Sequence, residues 1–318
     1  MDTVLSYLGF SNRDMFSRWA VRLLYAGTSI VGLGLAALWA LQEKLIYLPR
    51  LPGIPNDFPY LPDSFGLDYE DVELKAEDGT QLHGWFMWPR TWTAEDKKQR
   101  PVVLFFQENA GNMAFRLPFL RMLVRFLDCS VFAPSYRGYG LSKGKPTEAG
   151  LKQDAQASLD YLLQHPHINA KKIAVFGRSL GGAVAIQLLA ANPHAAQALI
   201  IENTFTSIQD LAPKVMPMLR PFLGPGRPFN FLIRNNWNSF VELPKLAHLP
   251  IMMISSAQDE LCPPEQMERL HGAVKAAGHC TWLSVDAHHM DAYEVAGPEY
   301  WPALIHFMQS QGLCNASQ

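Results

Sequence analysis

Short apolar runs alternate with amphipathic stretches along most of the chain. The runs at residues 101–106, 129–133, 172–176, 198–201, 251–255 and 280–285 have the length and composition of strands buried on both faces. Between them, residues 114–127, 147–164 and 180–191 carry helical patterning, and Thr147 is placed to cap the second. Strands alternating with helices predict an α/β fold with a mostly parallel central sheet covered by helices on both faces. Ahead of this pattern, residues 68–76 and 80–88 flank Asp78-Gly79, a hairpin signal.

The N-terminal part reads differently. "LLYAGTSIVGLGLAALWAL", residues 23–41, carries no charge and approaches the ~20 residues a helix needs to cross a hydrocarbon core. Trp19, Tyr25, Trp39 and Tyr47 sit towards its ends, where amphipathic rings favour the headgroup level. A signal peptide has a shorter apolar core, and a helix of a globular domain carries a polar face, so one transmembrane anchor is predicted. Arg13, Arg18 and Arg22 precede it and Lys44 and Arg50 follow, a small excess favouring a cytoplasmic N-terminus. The sequon Asn315-Ala316-Ser317 suits a lumenal domain. Prolines 49, 52, 55, 59 and 62 mark an extended linker. The expected organisation is therefore a tail (1–22), the anchor (23–41), a Pro-rich linker (42–67), an α/β domain (68–311) and a C-terminal tail (312–318).

Composition narrows the partners. With 318 residues, 48% of them hydrophobic, and a formal charge of -2, the chain is neither disordered nor repetitive, and it offers nucleic acid no electrostatic attraction. Cys129, Cys262, Cys280 and Cys314 form no CxxC pair, which argues against a zinc site or a disulfide scaffold. No metal or organic cofactor is expected.

The candidate chemistry lies in "KKIAVFGRSLGGAVAI". A strand passing directly into a helix through Gly177-x-Ser179-x-Gly181 forces a sharp turn in which β-carbons at the two glycines would clash. Ser179 then projects above the sheet, and the Leu180 N–H points to where an oxyanion would form. A serine hydroxyl needs a base, so a histidine and a carboxylate are expected downstream. Asp259 follows the strand 251–255, with Glu202 and Asp286 as rivals; His288 and His289 follow the strand 280–285. Loops at the carboxyl ends of parallel strands converge on one crevice, so these groups can meet. The residues alone leave His288 and His289 equivalent, and they leave open a tight turn with a solvated Asp259 and surface histidines. The second oxyanion donor is assigned to Asn109, in the loop after "PVVLFF"; capping of a helix by Asn109 and Asn112 is compatible with that role.

"ENAGN", "YRGYGLSKG", "FGRSLGGAVAI", "ENTFTSI", "QDELCPP" and "HMD" occur here in that order. In this the chain resembles the alpha/beta hydrolase domain-containing protein 13, Bem and plant Wavy-growth branch of the α/β-hydrolases, over about residues 68–311. The resemblance implies the α/β-hydrolase fold and a Ser179–Asp259–His289 triad, with His289 chosen because the family histidine is followed by one residue and then Asp. It also implies a membrane-anchored serine hydrolase of the endoplasmic reticulum or plasma membrane, and neighbouring branches include protein depalmitoylases. Many members have His-Gly where this chain has Gln107-Glu108, which bears on the oxyanion loop. Tyr136–Gly140 reads either as a wall of the site or as a glycine turn stabilised by Arg137. The segment "KVMPMLRPFLGPGRPFNFLI" reads as an apolar lid or as a helix and loop packed on the sheet. An ester or thioester of a fatty acyl chain, S-palmitoyl protein included, is the expected substrate, with membrane lipid as the neighbouring phase. Small soluble esters or peptides, or a scaffold that has lost turnover, are the alternatives.

Overall fold

The computed structural model describes residues 12–51, 53 and 57–314, so the sequon and residues 1–11 lie outside the described residues. The chain divides into two units, Met1–Leu45 and Ile46–Gln318. Helix α1 (Asn12–Ile46) makes up the described part of the first. Within its Phe16–Ile46 portion an 18-residue window reaches a mean hydropathy of 1.7 and is unburied, so by length and composition it can cross a membrane. The helix continues beyond Leu41 through the more polar Gln42, Glu43 and Lys44, where the sequence pattern predicted a linker.

The second unit is built on an eight-stranded sheet in the order β1-β2-β4-β3-β5-β6-β7-β8. The hairpin β1 (Leu67–Lys75) and β2 (Gln81–Pro89) pairs antiparallel, and β2 runs antiparallel to β4 (Ser130–Ser135). From β4 onward every pairing is parallel, through β3 (Val102–Phe106), β5 (Ile173–Arg178), β6 (Ala198–Glu202), β7 (Ile251–Ser256) and β8 (Cys280–Val285). Each apolar run of the sequence is therefore a strand.

Alternation within the strands decides which residue meets which layer. Val102, Leu104 and Phe106 of β3 pack on one side with α3 (Glu148–Gln164), α4 (Leu180–Ala191) and α6 (Glu265–Val274). Val103 and Phe105 pack on the other with α2 (Leu117–Leu127) and α7 (Gly297–Ser310). A strand with both faces covered has no polar side, so its sequence is continuously apolar. Helix α4 is apolar almost all round for the same reason. Thr147 caps α3 as expected, its hydroxyl accepting from the Gly150 N–H at 3.0 Å. The predicted helix 114–127 begins instead as a 3₁₀ turn, Met113–Arg116, capped by Asn112, and becomes α-helical at Leu117 next to Pro118. Pro lacks the N–H an earlier α-helical start would require there.

Between α5 (Ile208–Val215) and Asn235 the chain forms short 3₁₀ turns, Pro217–Leu219 and Asn230–Leu232, rather than a long helix. The turn after β4 is fastened by Arg137. Its backbone N–H and Nε donate to the Asp154 carboxylate at 2.8 and 2.9 Å, and Nη1 donates to Asp78 at 2.6 Å. Arg137 and Asp154 are both buried, so this segment serves as a structural turn joining the β1–β2 hairpin to α3. Arg137→Ala leaves the Asp154 charge buried and unpaired. It is expected to cost about 3–5 kcal/mol in urea unfolding, with Arg137→Lys recovering only part because a point charge cannot bond both carboxylates in the same fork.

Candidate active site

Ser179 links the end of β5 to the start of α4 with φ 54° and ψ -121°. A non-glycine residue in that region costs on the order of 1–3 kcal/mol. The surrounding contacts hold it there. Its N–H donates to the Glu202 carbonyl (2.8 Å), and its own carbonyl accepts from the Gly182 N–H (2.9 Å) and the Thr204 hydroxyl (2.7 Å). A β-carbon on Gly177 would lie 2.1 Å from the Gly181 oxygen, and one on Gly181 would lie 2.0 Å from the Phe106 oxygen. The glycines at plus and minus two are thus the points where α4 presses against β5 and β3.

Asp259 and His289 meet at the carboxyl ends of β7 and β8. His289 Nδ1 lies 2.7 Å from Asp259 Oδ2, and both side chains are almost fully buried. A carboxylate only accepts, so Nδ1 carries a proton, and in the neutral ring the lone pair is then on Nε2. The other carboxylate oxygen accepts the N–H groups of Leu261 (2.9 Å) and Cys262 (2.7 Å), which fixes the acid in its loop. His288 points elsewhere. It is exposed and contacts the Gln258 carbonyl and the Glu260 carboxylate. Asp286 is held at the surface by Gln258.

Asn203 ties these loops together. In the left-handed region at φ 49°, it donates from Nδ2 to the His289 carbonyl and the Ser256 hydroxyl, both at 2.9 Å, and accepts the Ser256 N–H at 2.8 Å. The ends of β6, β7 and β8 are thereby locked in register around Ser179. Hydrogen bonds among the described residues do not include one from Ser179 to the His289 ring. Beside the hydroxyl lies the Cys262 thiol, whose pKa is pushed up by burial and the Asp259 charge, so it stays a neutral S–H.

Glu202, the rival carboxylate, has a different task. Arg178 is two residues after Phe176 on the same strand face and is therefore driven inward with it. Its Nε lies 2.9 Å from Glu202 Oε1, close but not aligned as a hydrogen bond, while Nη2 donates to Oε2 at 3.2 Å. Nη1 donates to Glu108 at 3.2 Å, and the guanidinium sits 4.0 Å over the Phe119 ring. Arg116 donates to Glu108 at 2.6 Å, and the Tyr300 hydroxyl donates to Glu202 at 2.6 Å. Burial opposes ionisation of Glu108, but Arg116 and Arg178 outweigh it and lower its pKa to about 2. The Gln107-Glu108 dipeptide thus supplies a counter-charge for Arg178.

The oxyanion loop is braced from behind as well. Tyr136 donates to the Gln107 carbonyl (2.9 Å) and Tyr139 to the Asn109 carbonyl (2.7 Å). Asn109 does not cap a helix; its Nδ2 donates to the Ile46 carbonyl at 3.0 Å. Among the described residues the N–H groups of Asn109 and Leu180 have no hydrogen-bond acceptor. The four cysteines are free, and no cluster of three or more His, Cys, Asp or Glu among the described residues is arranged to hold a metal ion.

A parallel sheet with a strained serine after β5, and an acid and a histidine after β7 and β8, has close counterparts. The chain is 41% identical over 296 residues, 90% of its length and 94% of the relative's, to alpha/beta hydrolase domain-containing protein WAV2 of Arabidopsis thaliana. The chain belongs to the α/β-hydrolase family. It is also 40% identical to protein bem46 of Schizosaccharomyces pombe, covering 80% of this chain and 83% of that one. An uncharacterized membrane protein of Saccharomyces cerevisiae is 29% identical over 92% of this chain and 99% of its own. Residues 122–231 match the Hydrolase_4 family, serine aminopeptidase, S33. Among solved structures, an esterase of Pyrococcus furiosus superposes with a TM-score of 0.64 at 19% identity, over 83% of this chain and 99% of the esterase.

The α/β-hydrolase also carries groups that sequence reasoning did not assign. Arg178, Glu108, Arg116 and Tyr300 form the ion network, and Cys262 lies beside Ser179; Tyr136 and Tyr139, within the segment read as a wall of the site or a glycine turn, brace the loop after β3. Only Arg178 left a readable signal, since period-two alternation from Ala174 and Phe176 places it on a covered face. Gly177→Ala is expected to cost about 3 kcal/mol or more by overpacking, a Tm loss of ~6–12 °C for a domain of this size. Gly272→Ala, whose β-carbon meets nothing within 4 Å, is the control and should hold or raise Tm. Because the folded pKa of Glu108 is depressed from 4.5 to about 2, its contribution is complete above pH 4.5 and is lost as pH falls through 2. The urea midpoint should drop across that window, and Glu108→Gln should flatten the drop.

Proposed function

We propose that the protein is a membrane-anchored serine hydrolase that cleaves an acyl ester or thioester through Ser179, His289 and Asp259. The observation carrying this reading is the buried 2.7 Å His289–Asp259 pair, bound through Asn203 to the loop that follows β6 and faces the Ser179 turn. His289 Nε2 takes the Ser179 proton as Oγ attacks the acyl carbon. Asp259 keeps the ring in its tautomer and stabilises the imidazolium. The tetrahedral oxyanion is received by the N–H groups of Leu180, at the α4 N-terminus, and Asn109. His289 then protonates the departing alkoxide or thiolate. A water, deprotonated by the same ring, opens the acyl-enzyme and releases the carboxylic acid with Ser179 restored.

The apolar helix α1 supports attachment to a membrane, that of the endoplasmic reticulum or the plasma membrane in this reading. A fatty acyl chain, including one carried on a lipidated protein, suits a chain whose segment 216–232 is rich in Met, Leu, Phe and Pro. Ser179→Ala should abolish labelling by a fluorophosphonate probe while leaving Tm within a few degrees. Asp259→Asn should lower kcat on a p-nitrophenyl ester on the order of 10⁴-fold with little change in KM. Undiminished labelling of Ser179→Ala discards the nucleophile.

A further inference from the structure

Between Gln107 and Gly111 every peptide but one is tied down. The Gln107 carbonyl accepts from the Tyr136 hydroxyl (2.9 Å), and the Asn109 carbonyl accepts from the Tyr139 hydroxyl (2.7 Å) and the Leu48 N–H (2.9 Å). The Ala110 carbonyl accepts from Arg116 Nη2 at 2.6 Å, and the Gly111 N–H donates to the Leu48 carbonyl at 2.9 Å. Amid these fixed points lies the peptide made of the Glu108 carbonyl and the Asn109 N–H. Among the described residues neither of its ends has a hydrogen-bond partner. Its N–H is the donor proposed above for the oxyanion.

A planar peptide without bonds of its own can still turn about the soft dihedrals of the residues flanking it. On the Asn109 side that rotation is opposed by Nδ2, which donates to the Ile46 carbonyl at 3.0 Å. On the Glu108 side only the side chain is available to oppose it. That side chain is buried, and its carboxylate accepts from Arg116 Nε at 2.6 Å and Arg178 Nη1 at 3.2 Å.

Arg116 therefore grips the residue before Asn109 by its carboxylate and the residue after it by its carbonyl. A guanidinium is a rigid planar fork, so the two groups are held at a set separation with residue 109 spanning the gap. The fork has a firm base. Arg116 is itself buried and closes the 3₁₀ turn Met113–Arg116 that leads into α2. Arg178 is no substitute, because its ion pairs run to Glu108 and Glu202.

We infer that Arg116 is a positioning residue of the reaction: by clamping Glu108 to Ala110 it sets the direction of the Asn109 N–H without itself meeting the substrate. This rests on the hydrolase reading above. Misplacing a group by about 1 Å can cost on the order of 10²-fold in rate. For an oxyanion donor the loss falls on the transition state, where the oxygen carries charge, and spares substrate binding.

The test compares the full chain with Arg116→Lys, which keeps a positive charge beside Glu108 but offers a point charge in place of the fork. On p-nitrophenyl acetate the variant should lose at least tenfold in kcat with KM within twofold. Its affinity for an alkyl trifluoromethyl ketone, whose carbonyl oxygen becomes an oxyanion when Ser179 adds, should fall by the same factor as kcat/KM. An arginine that merely stiffened the fold would lower Tm and leave both readings of the folded protein unchanged. Should Arg116→Lys not fold, the double variant Arg116→Met/Glu108→Gln carries the test. It removes one charge of each sign, leaves Arg178 paired with Glu202, and should show the same kcat loss. A smaller kcat loss in a folded variant overturns the inference, and so does a loss that lies in KM or an unchanged ketone affinity. Failure of the unaltered protein to hydrolyse acetate would strike the hydrolase reading instead.

Discussion

Three backbones converge at Gly177 and Gly181, where a β-carbon would fall within about 2 Å of a carbonyl oxygen. That approach lets α4 start directly at the end of β5, so the connection spans one residue. A one-residue connection cannot relax, and Ser179 is left in a left-handed conformation that an ordinary serine avoids. The strain is offset by three backbone-directed hydrogen bonds on Ser179 and by the apolar burial of α4. Everything that faces the serine is placed relative to this corner.

Beneath the corner lies a second constraint, electrostatic rather than steric. Arg178 cannot leave the sheet without taking Ser179 with it, so its charge is matched where it lies by Glu108 from the oxyanion loop and Glu202 from β6. Arg116 binds the same Glu108 and Tyr300 the same Glu202. Buried ion networks of this kind specify a single arrangement, because any alternative strands a charge in a medium of low dielectric. The network ties the residue before Ser179 to the loop that follows β3. The acidic residue at position 108 therefore stiffens the loop rather than dismantling it.

The oxyanion loop is also where the two ends of the molecule's logic meet. Tyr136 and Tyr139 hold its carbonyls from the β4 side, and Ile46 and Leu48 hold it from the other. The peptides so held are those whose N–H groups belong to Glu108 and Ala110, on either side of Asn109.

Much of the architecture was legible in the sequence. Strands covered on both faces must be apolar throughout, and the glycine pair around Ser179 marks a turn with no space for side chains, so the sheet and the corner could be read from local pattern. The order of serine, acid and histidine followed from loops that must share one end of a parallel sheet. Local pattern could not choose between Asp259 and Glu202, or between His288 and His289. Neighbouring residues have identical composition around them, and which one faces inward depends on strand register and on partners tens to hundreds of residues away. Arg178 claims Glu202, Asn203 grips the carbonyl of His289, and Asp259 is left facing the ring. The docking of Tyr47 on Trp237, 190 residues apart in the chain, is likewise a property of the assembled fold: hydrogen bonds between distant segments leave no periodicity in the sequence, since their geometry exists only after the core has brought the segments together.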